Sequence, residues 1–184
     1  MKVRCRPGPP LKGRVDAIPS KSSLHRLLFC AGLAKGESIV SPAHDSQDIR
    51  ATLNVLSYLG VEVAAGEGGY ALGSPGPLAK GGEVDVIESG STLRFAIPVI
   101  LAAGAPGASI VLRGREGLAR RPLGIYETLF AGRGARFERL GEVSLPLRLS
   151  GRLESGEYRL RGDVSSQFVS GLLFALPLLE GDSS

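Results

Sequence analysis

The chain has 184 residues, 43% of them hydrophobic, with 22 cationic against 18 anionic side chains. That is ample apolar content for a core under a mildly basic surface. Seventeen of the cations are arginine and five are lysine, and they are scattered. A nucleic-acid binder more often shows a concentrated basic run, whereas arginine suits bidentate recognition of carboxylate and phosphate.

The opening "MKVRCRPGPP" carries no apolar signal core, and no stretch reaches the length of a membrane span. A soluble, cytosolic protein is expected. Cys5 and Cys30 make neither a disulfide framework nor a metal pattern, and Cys30 reads as a small core residue. The first predicted helix lies in "SKSSLHRLLFCAGLAKGES", with an apolar stripe at Leu24, Leu27, Leu28 and Ala31. "DSQDIRATLNVLSYLGVEV" follows as a helix with Asp48 as N-cap, ending near Gly60. "VEVAA" and "YALGS", joined by "GEGG", read as a hairpin.

"ESGSTLRFAIPVILAAGAPGAS" is apolar nearly all round and is expected to be a buried helix, bent or interrupted at Pro98. "RRPLGIYETLFAGRGARFE" repeats the twelve-residue step of the second helix, from Pro122 in a first helical turn to Gly134. "RFERL", "LRLSG" and "EYRLRG" are strand candidates, and "DVSSQFVSGLLFALPLLEGDSS" is a third buried helix broken at Pro177. Aligning Ser22, Ser91 and Ser165 places the three buried helices 69 and 74 residues apart. The expected fold is α/β (α+β). It has a strand–helix–strand–helix–strand–strand unit present about two and a half times, packed around a pseudo-threefold axis with helices buried against sheets.

Lys21 and Arg26 sit at a helix N-terminus, where the partial positive charge of the aligned peptides opposes them. Arg94 recurs at nearly the same place in the second unit, and Arg120 and Arg121 precede the Pro122 helix. Exposed N–H groups and hydroxyls at helix starts bind anions. Converging starts lined with cations therefore point to a multiply charged anionic ligand. Each serine taken alone reads as a helix cap and each arginine as a solvated charge. His25 and His44 form no metal pair with a nearby cysteine, the "HDSQD" stretch lacks calcium-loop spacing, and no phosphate-loop or dinucleotide fingerprint occurs.

Five landmarks in this order, "PSKSSLHR", "DSQDIRATLNVLSYLGV", "SGSTLRF", "ARRPLGIYETL" and "GDVSSQF", resemble the EPSP synthase family of enolpyruvyl transferases, matching its N-terminal part. The resemblance implies two domains of three units each, with the active site in the cleft between them. Residues 1–12 would belong to the second domain and 13–184 to the first, its third unit incomplete. It implies transfer of the enolpyruvyl group of phosphoenolpyruvate to the 5-hydroxyl of shikimate 3-phosphate, without metal or organic cofactor, by a cytoplasmic monomer.

By the same resemblance, Lys21, Ser22, Arg26, Ser165, Ser166 and Gln167 bind shikimate 3-phosphate. Lys21, Gly90, Arg94, Arg121 and Gln167 bind phosphoenolpyruvate, and Lys21 also takes a catalytic role. Gly90 marks the place where glyphosate is sensed. Glu88 departs from the amide of many members, and a carboxylate there would repel an anion unless turned away or protonated. The family's acid–base carboxylate and lysine lie in its C-terminal half, so residues 1–184 alone are expected to be inactive. The alternatives are the sibling that acts on a UDP-amino sugar, whose cysteine-bearing loop has no cysteine here, an RNA- or phosphate-binding module, and a scaffold repeat without ligand.

Overall fold

The computed structural model describes residues 3, 4, 6, 8–10, 12–76 and 81–184. Cys5 and part of the 1–12 segment lie outside them. Helix α1 (Lys21–Leu33) starts at Ser20, whose side chain accepts the Ser23 N–H. Its buried face carries Leu24, His25, Leu28, Phe29 and Ala31. The predicted stripe is thus rotated: α1's neighbours crowd the side of His25 and Phe29, and Leu27 and Cys30 face outward.

Strand β1 (Ser38–Val40) leads to α2 (Gln47–Tyr58). Its N-cap is Ser46, not Asp48: the extended Ser46 accepts the Ile49 N–H at 3.3 Å, and Asp48 sits in the first turn. Strands β2 (Val63–Gly66) and β3 (Gly69–Leu72) form the predicted hairpin, and β1 adds to β3 in an antiparallel sheet of order β1-β3-β2.

The second unit runs β4 (Gly81–Asp85), α3 (Gly90–Ala103), β5 (Ser109–Arg113), α4 (Glu116–Ala119), α5 (Gly124–Leu129), β6 (Ala135–Arg139) and β7 (Leu147–Gly151). Its sheet has the order β4-β5-β7-β6, with β4 parallel to β5 and the other pairs antiparallel. Here the expected strand–helix–strand–helix–strand–strand unit is complete, with its second helix shortened to α5 and an unpredicted short helix, α4, ahead of it. Pro122 precedes α5 rather than opening it. In the first copy no strand precedes α1 among the described residues, and the third contributes α6 (Ser166–Ala175). Helix α6 gives way at Pro177 to a short 3-10 turn, as expected of an interior proline.

One expectation fails here, and of a second, at Pro98, the interruption does not occur. "EYRLRG" forms no strand: its only backbone bond to the chain's last residues runs from Tyr158 N–H to Ser184 C=O at 2.6 Å, with Ser184 N–H returning to Gly156 C=O. Those two bonds are too few for a ladder. Helix α3 also runs uninterrupted through Pro98. The carbonyl that Pro98 leaves without its i+4 donor is that of Arg94, and the Tyr126 hydroxyl donates to it at 2.8 Å.

Helices α1, α3 and α6 pack on one another at an aromatic trio. Phe29 meets Phe95 edge-on at 5.5 Å and stacks on Phe174 at 5.6 Å, and Phe95 meets Phe174 at 5.2 Å. Eleven residues of α3 are buried, from Gly90 to Ala102. The inward residues of the second sheet, Val84, Ile110, Leu112, Leu147 and Leu149, alternate along their strands and join the same core.

Candidate anion site at the helix starts

The helix caps fall at Ser20, Ser89 and Ser165. The first two are 69 residues apart and the last two 76, so the predicted alignment holds between the first two units and slips by two residues in the third. Ser22 and Ser91 are not caps; both sit two residues past one. In that register their counterpart on α6 is Gln167, and its side-chain amide donates to Ser91 Oγ at 2.8 Å.

The other end of the Gln167 amide accepts from Arg94 Nη1 at 2.8 Å, so α3 and α6 are joined at their first turns. Arg94 is half-buried. Its Nη1 also donates to the Gly90 carbonyl, its guanidinium lies 5.1 Å over the Phe168 ring, and its Nε is buried without a partner. Arg121 reaches the same spot from the end of α4. A first side-chain carbon placed on Gly90 would lie 2.8 Å from Arg121 Nη1 and 3.0 Å from Arg94 Nη1. Burial first, and then the Arg121 charge, push the Arg94 guanidinium below its usual pKa.

Eight other arginines among the described residues contrast with these two, each pairing with a carboxylate. Arg50 pairs with Asp45, Arg113 with Glu83, Arg139 with Glu127 and Arg148 with Glu138. Arg120, which precedes the Pro122 helix together with Arg121, pairs with Glu116 at the exposed end of α4. Arg94 and Arg121 have no carboxylate partner among the described residues. Glu88 is exposed, and its Oε1 would lie 2.6 Å from a side-chain carbon on Gly117 of α4. Its carboxylate is thus turned over Gly117, and no ion pair ties it to either arginine.

Arg26 folds over the start of α1, donating to the Ser22 carbonyl at 2.8 Å and to Ser170 of α6 at 3.2 Å, with its guanidinium 5.4 Å over Phe95. Ser170 Oγ donates in turn to the Ser166 carbonyl, and Ser165 Oγ accepts the Gln167 N–H. Lys21 forms an ion pair with Asp48 at 2.7 Å, both side chains reached by solvent. The first turns of α1, α3 and α6 therefore meet on one side of the molecule, with α2's Asp48 beside them.

Sequence reading missed the polar layer beneath. His25 Nδ1 lies 2.7 Å from Thr52 Oγ1, Thr52 Oγ1 lies 2.8 Å from Thr92 Oγ1, and Thr92 Oγ1 donates to Ser89 Oγ at 2.8 Å. All four residues are buried. Burial lowers the His25 pKa to about 4; Asp48 opposes that shift, and Lys21 and Arg26 add to it. Ser89 could have been found from its 69-residue spacing to Ser20. His25, Thr52 and Thr92 carry no signal of their own, because their meeting depends on how three helices cross.

The sequence profile of EPSP synthase, 3-phosphoshikimate 1-carboxyvinyltransferase, matches residues 5–184. A 3-phosphoshikimate 1-carboxyvinyltransferase of Clostridium kluyveri is 44% identical over 174 residues, covering 94% of this chain and 40% of the relative. One from Clostridium novyi is 38% identical, with 94% and 41% covered. Among solved structures, an EPSP synthase of Acinetobacter baumannii superposes with a TM-score of 0.70 at 24% identity, over 89% of this chain and 38% of that one. The enolpyruvyl transferase NikO of Streptomyces tendae superposes with a TM-score of 0.59 at 15% identity, over 90% and 38%. These two show a shared fold. This chain thus spans about two-fifths of the length of the curated relatives it matches, and it belongs to the EPSP synthase family.

Proposed function

We propose that the full-length protein transfers the enolpyruvyl group of phosphoenolpyruvate to the 5-hydroxyl of shikimate 3-phosphate and releases phosphate. The observation that carries this reading is the meeting of Arg94 and Arg121 at Gly90 with no carboxylate between them. Two like charges held together at a partly buried helix start are unfavourable until an anion joins them. Phosphoenolpyruvate brings a carboxylate and a phosphate to that spot. Gly90 leaves room for it, and Arg94 and Arg121 stabilise its charge where water is partly excluded.

Shikimate 3-phosphate then lies against Lys21, Ser22, Arg26, Ser165, Ser166 and Gln167. Gln167 contacts both substrates, since it already spans Ser91 and Arg94. Lys21 exchanges Asp48 for the ligand anions as they arrive. Residues 13–184 form the first enolpyruvyl transferase domain with its third unit incomplete, residues 1–12 belong to the second domain, and the acid–base groups come from that second domain. The enzyme works as a cytoplasmic monomer on small anions; among the described residues, no helix is long and apolar enough to cross a membrane.

Phosphate release by the full-length protein, assayed with each acceptor in turn, tests the reading. Turnover with shikimate 3-phosphate is expected. Turnover confined to the UDP-amino sugar would place the protein with its sibling, and salt-dependent RNA affinity without turnover would support the binding-module reading.

A further inference from the structure

His25 lies on α1 between Lys21 and Arg26, yet its ring points away from them into the core. Through Nδ1 it meets Thr52 of α2, through Thr52 it meets Thr92 of α3, and through Thr92 it meets Ser89, the cap of α3. The Asp48 carbonyl lies 3.4 Å from Thr92 Oγ1 and 3.5 Å from Thr52 Oγ1, while the Asp48 carboxylate holds Lys21. One buried chain of side chains therefore runs under the starts of three helices. Above it stand Lys21, Ser22 and Arg26 on one side and Gly90, Ser91 and Arg94 on the other.

We propose that His25 is a positioning residue: acting through Thr52, Thr92 and Ser89, it fixes the first turn of α3 relative to that of α1. The Lys21 and Arg94 cations are thereby held in register for anions that bridge them. The inference rests on the proposed function for what those anions are, but not for the coupling itself. Each hydroxyl has a single proton to give, so the link from His25 to Ser89 is continuous only when Thr52 and Thr92 are both in place. Removing Thr52 leaves His25 Nδ1 without its partner, while Thr92 keeps only Ser89 and the Asp48 carbonyl, and the side-chain link between the starts of α1 and α3 is cut. Apolar contacts between α1 and α3 at Phe29 and Phe95 keep the helices packed without setting that register.

The test uses the full-length protein with Thr52→Val, which removes the middle hydroxyl, and Thr52→Ser, which keeps it. KM for phosphoenolpyruvate is expected to rise about tenfold in Thr52→Val and to recover in Thr52→Ser. His25→Gln combined with Thr52→Val should cost little more than Thr52→Val alone. A lower Tm with unchanged KM in Thr52→Val would reduce the chain to a core contact and overturn the proposal.

A second readout needs no turnover. Inorganic phosphate is titrated into the wild type and Thr52→Val while the Arg94 side-chain NMR signals are followed. Weaker phosphate binding in the variant supports positioning, and equal binding overturns it. A wild type that binds phosphate without turning over the substrate pair would refute the proposed function and leave this comparison intact. Where Thr52→Val does not accumulate as folded protein, His25→Gln is read by the same two measurements.

Discussion

Gly90 is the residue on which two arginines close, and the proposed function gives the space left by its missing side chain to an anion. An alanine there would place a carbon within 3.0 Å of both guanidinium tips. These are the ends of flexible side chains, so they move aside while the backbone stays. Alanine also favours a helical first turn over glycine by up to about 1 kcal/mol. Gly90→Ala should therefore leave Tm unchanged or slightly raised while KM for phosphoenolpyruvate rises about tenfold. Paired thermal melts and steady-state kinetics check this, and a loss of Tm with intact KM would mean the glycine serves packing. His25 gives a second prediction at this scale. It titrates near 6.5 in the unfolded chain and at about 4 in the fold, so between those values the native state binds fewer protons than the unfolded one. The stability linked to His25 is fully present above pH 6.5 and declines as pH falls towards 4, by about 3 kcal/mol in all. His25→Gln should flatten the drop in Tm between pH 6.5 and 4, and an unchanged pH profile would show that His25 takes up its proton alike in the folded and unfolded chains.

Helix α3 persists through Pro98 because a neighbour supplies what the proline withholds. The Tyr126 hydroxyl, within 2.8 Å of the Arg94 carbonyl and 3.1 Å of that of Phe168, joins α5 to both α3 and α6. Burial raises its pKa, so it stays a donor throughout the working pH range. Tyr126→Phe leaves the Arg94 carbonyl buried and without its donor, and should cost about 1–3 kcal/mol of stability by denaturant titration. Gly171 makes the same junction possible from α6. A side-chain carbon there would lie 2.5 Å from the Arg94 carbonyl oxygen and 3.0 Å from Pro98, and would press on the Tyr126 hydroxyl. Gly171→Ala should therefore destabilise by about 1–3 kcal/mol or more, because backbone must give way. Elements of this kind mark how far the sequence could be read. Apolar runs and glycine breaks were enough to place the buried helices, the hairpin and β6 and β7, since those signals are local. The rescue of Pro98 was not legible, because its partner lies 28 residues downstream on another helix. Nor was the two-residue slip that puts Gln167 opposite Ser91, since a serine at either position reads as a cap until three-dimensional register decides between them.

At the scale of the whole molecule, the recurrence of cations at helix starts was legible as a pattern, while its geometry was not. Arg26 and Arg94 looked alike in sequence, and Arg121 stood with Arg120 before the Pro122 helix. In the fold Arg26 is tied to Ser22 and Ser170, while Arg94 and Arg121 are left facing each other. The difference comes from which helix each start abuts. Because α1, α3 and α6 share the Phe29, Phe95 and Phe174 cluster further along their lengths, a ligand that bridges the starts stabilises the packed core as well as the surface. A ligand bound only to the native state at a hundred times its Kd adds about 2.7 kcal/mol to the free energy of global opening. Amides whose exchange needs global opening should slow by that amount, about a hundredfold. Hydrogen exchange of the full-length protein with shikimate 3-phosphate should therefore show joint protection in α1, α3 and α6, extending down to the aromatic cluster. Protection limited to the first turn of one helix would mean that the starts bind independently, and the bridging of separate repeats by one anion would have to be given up.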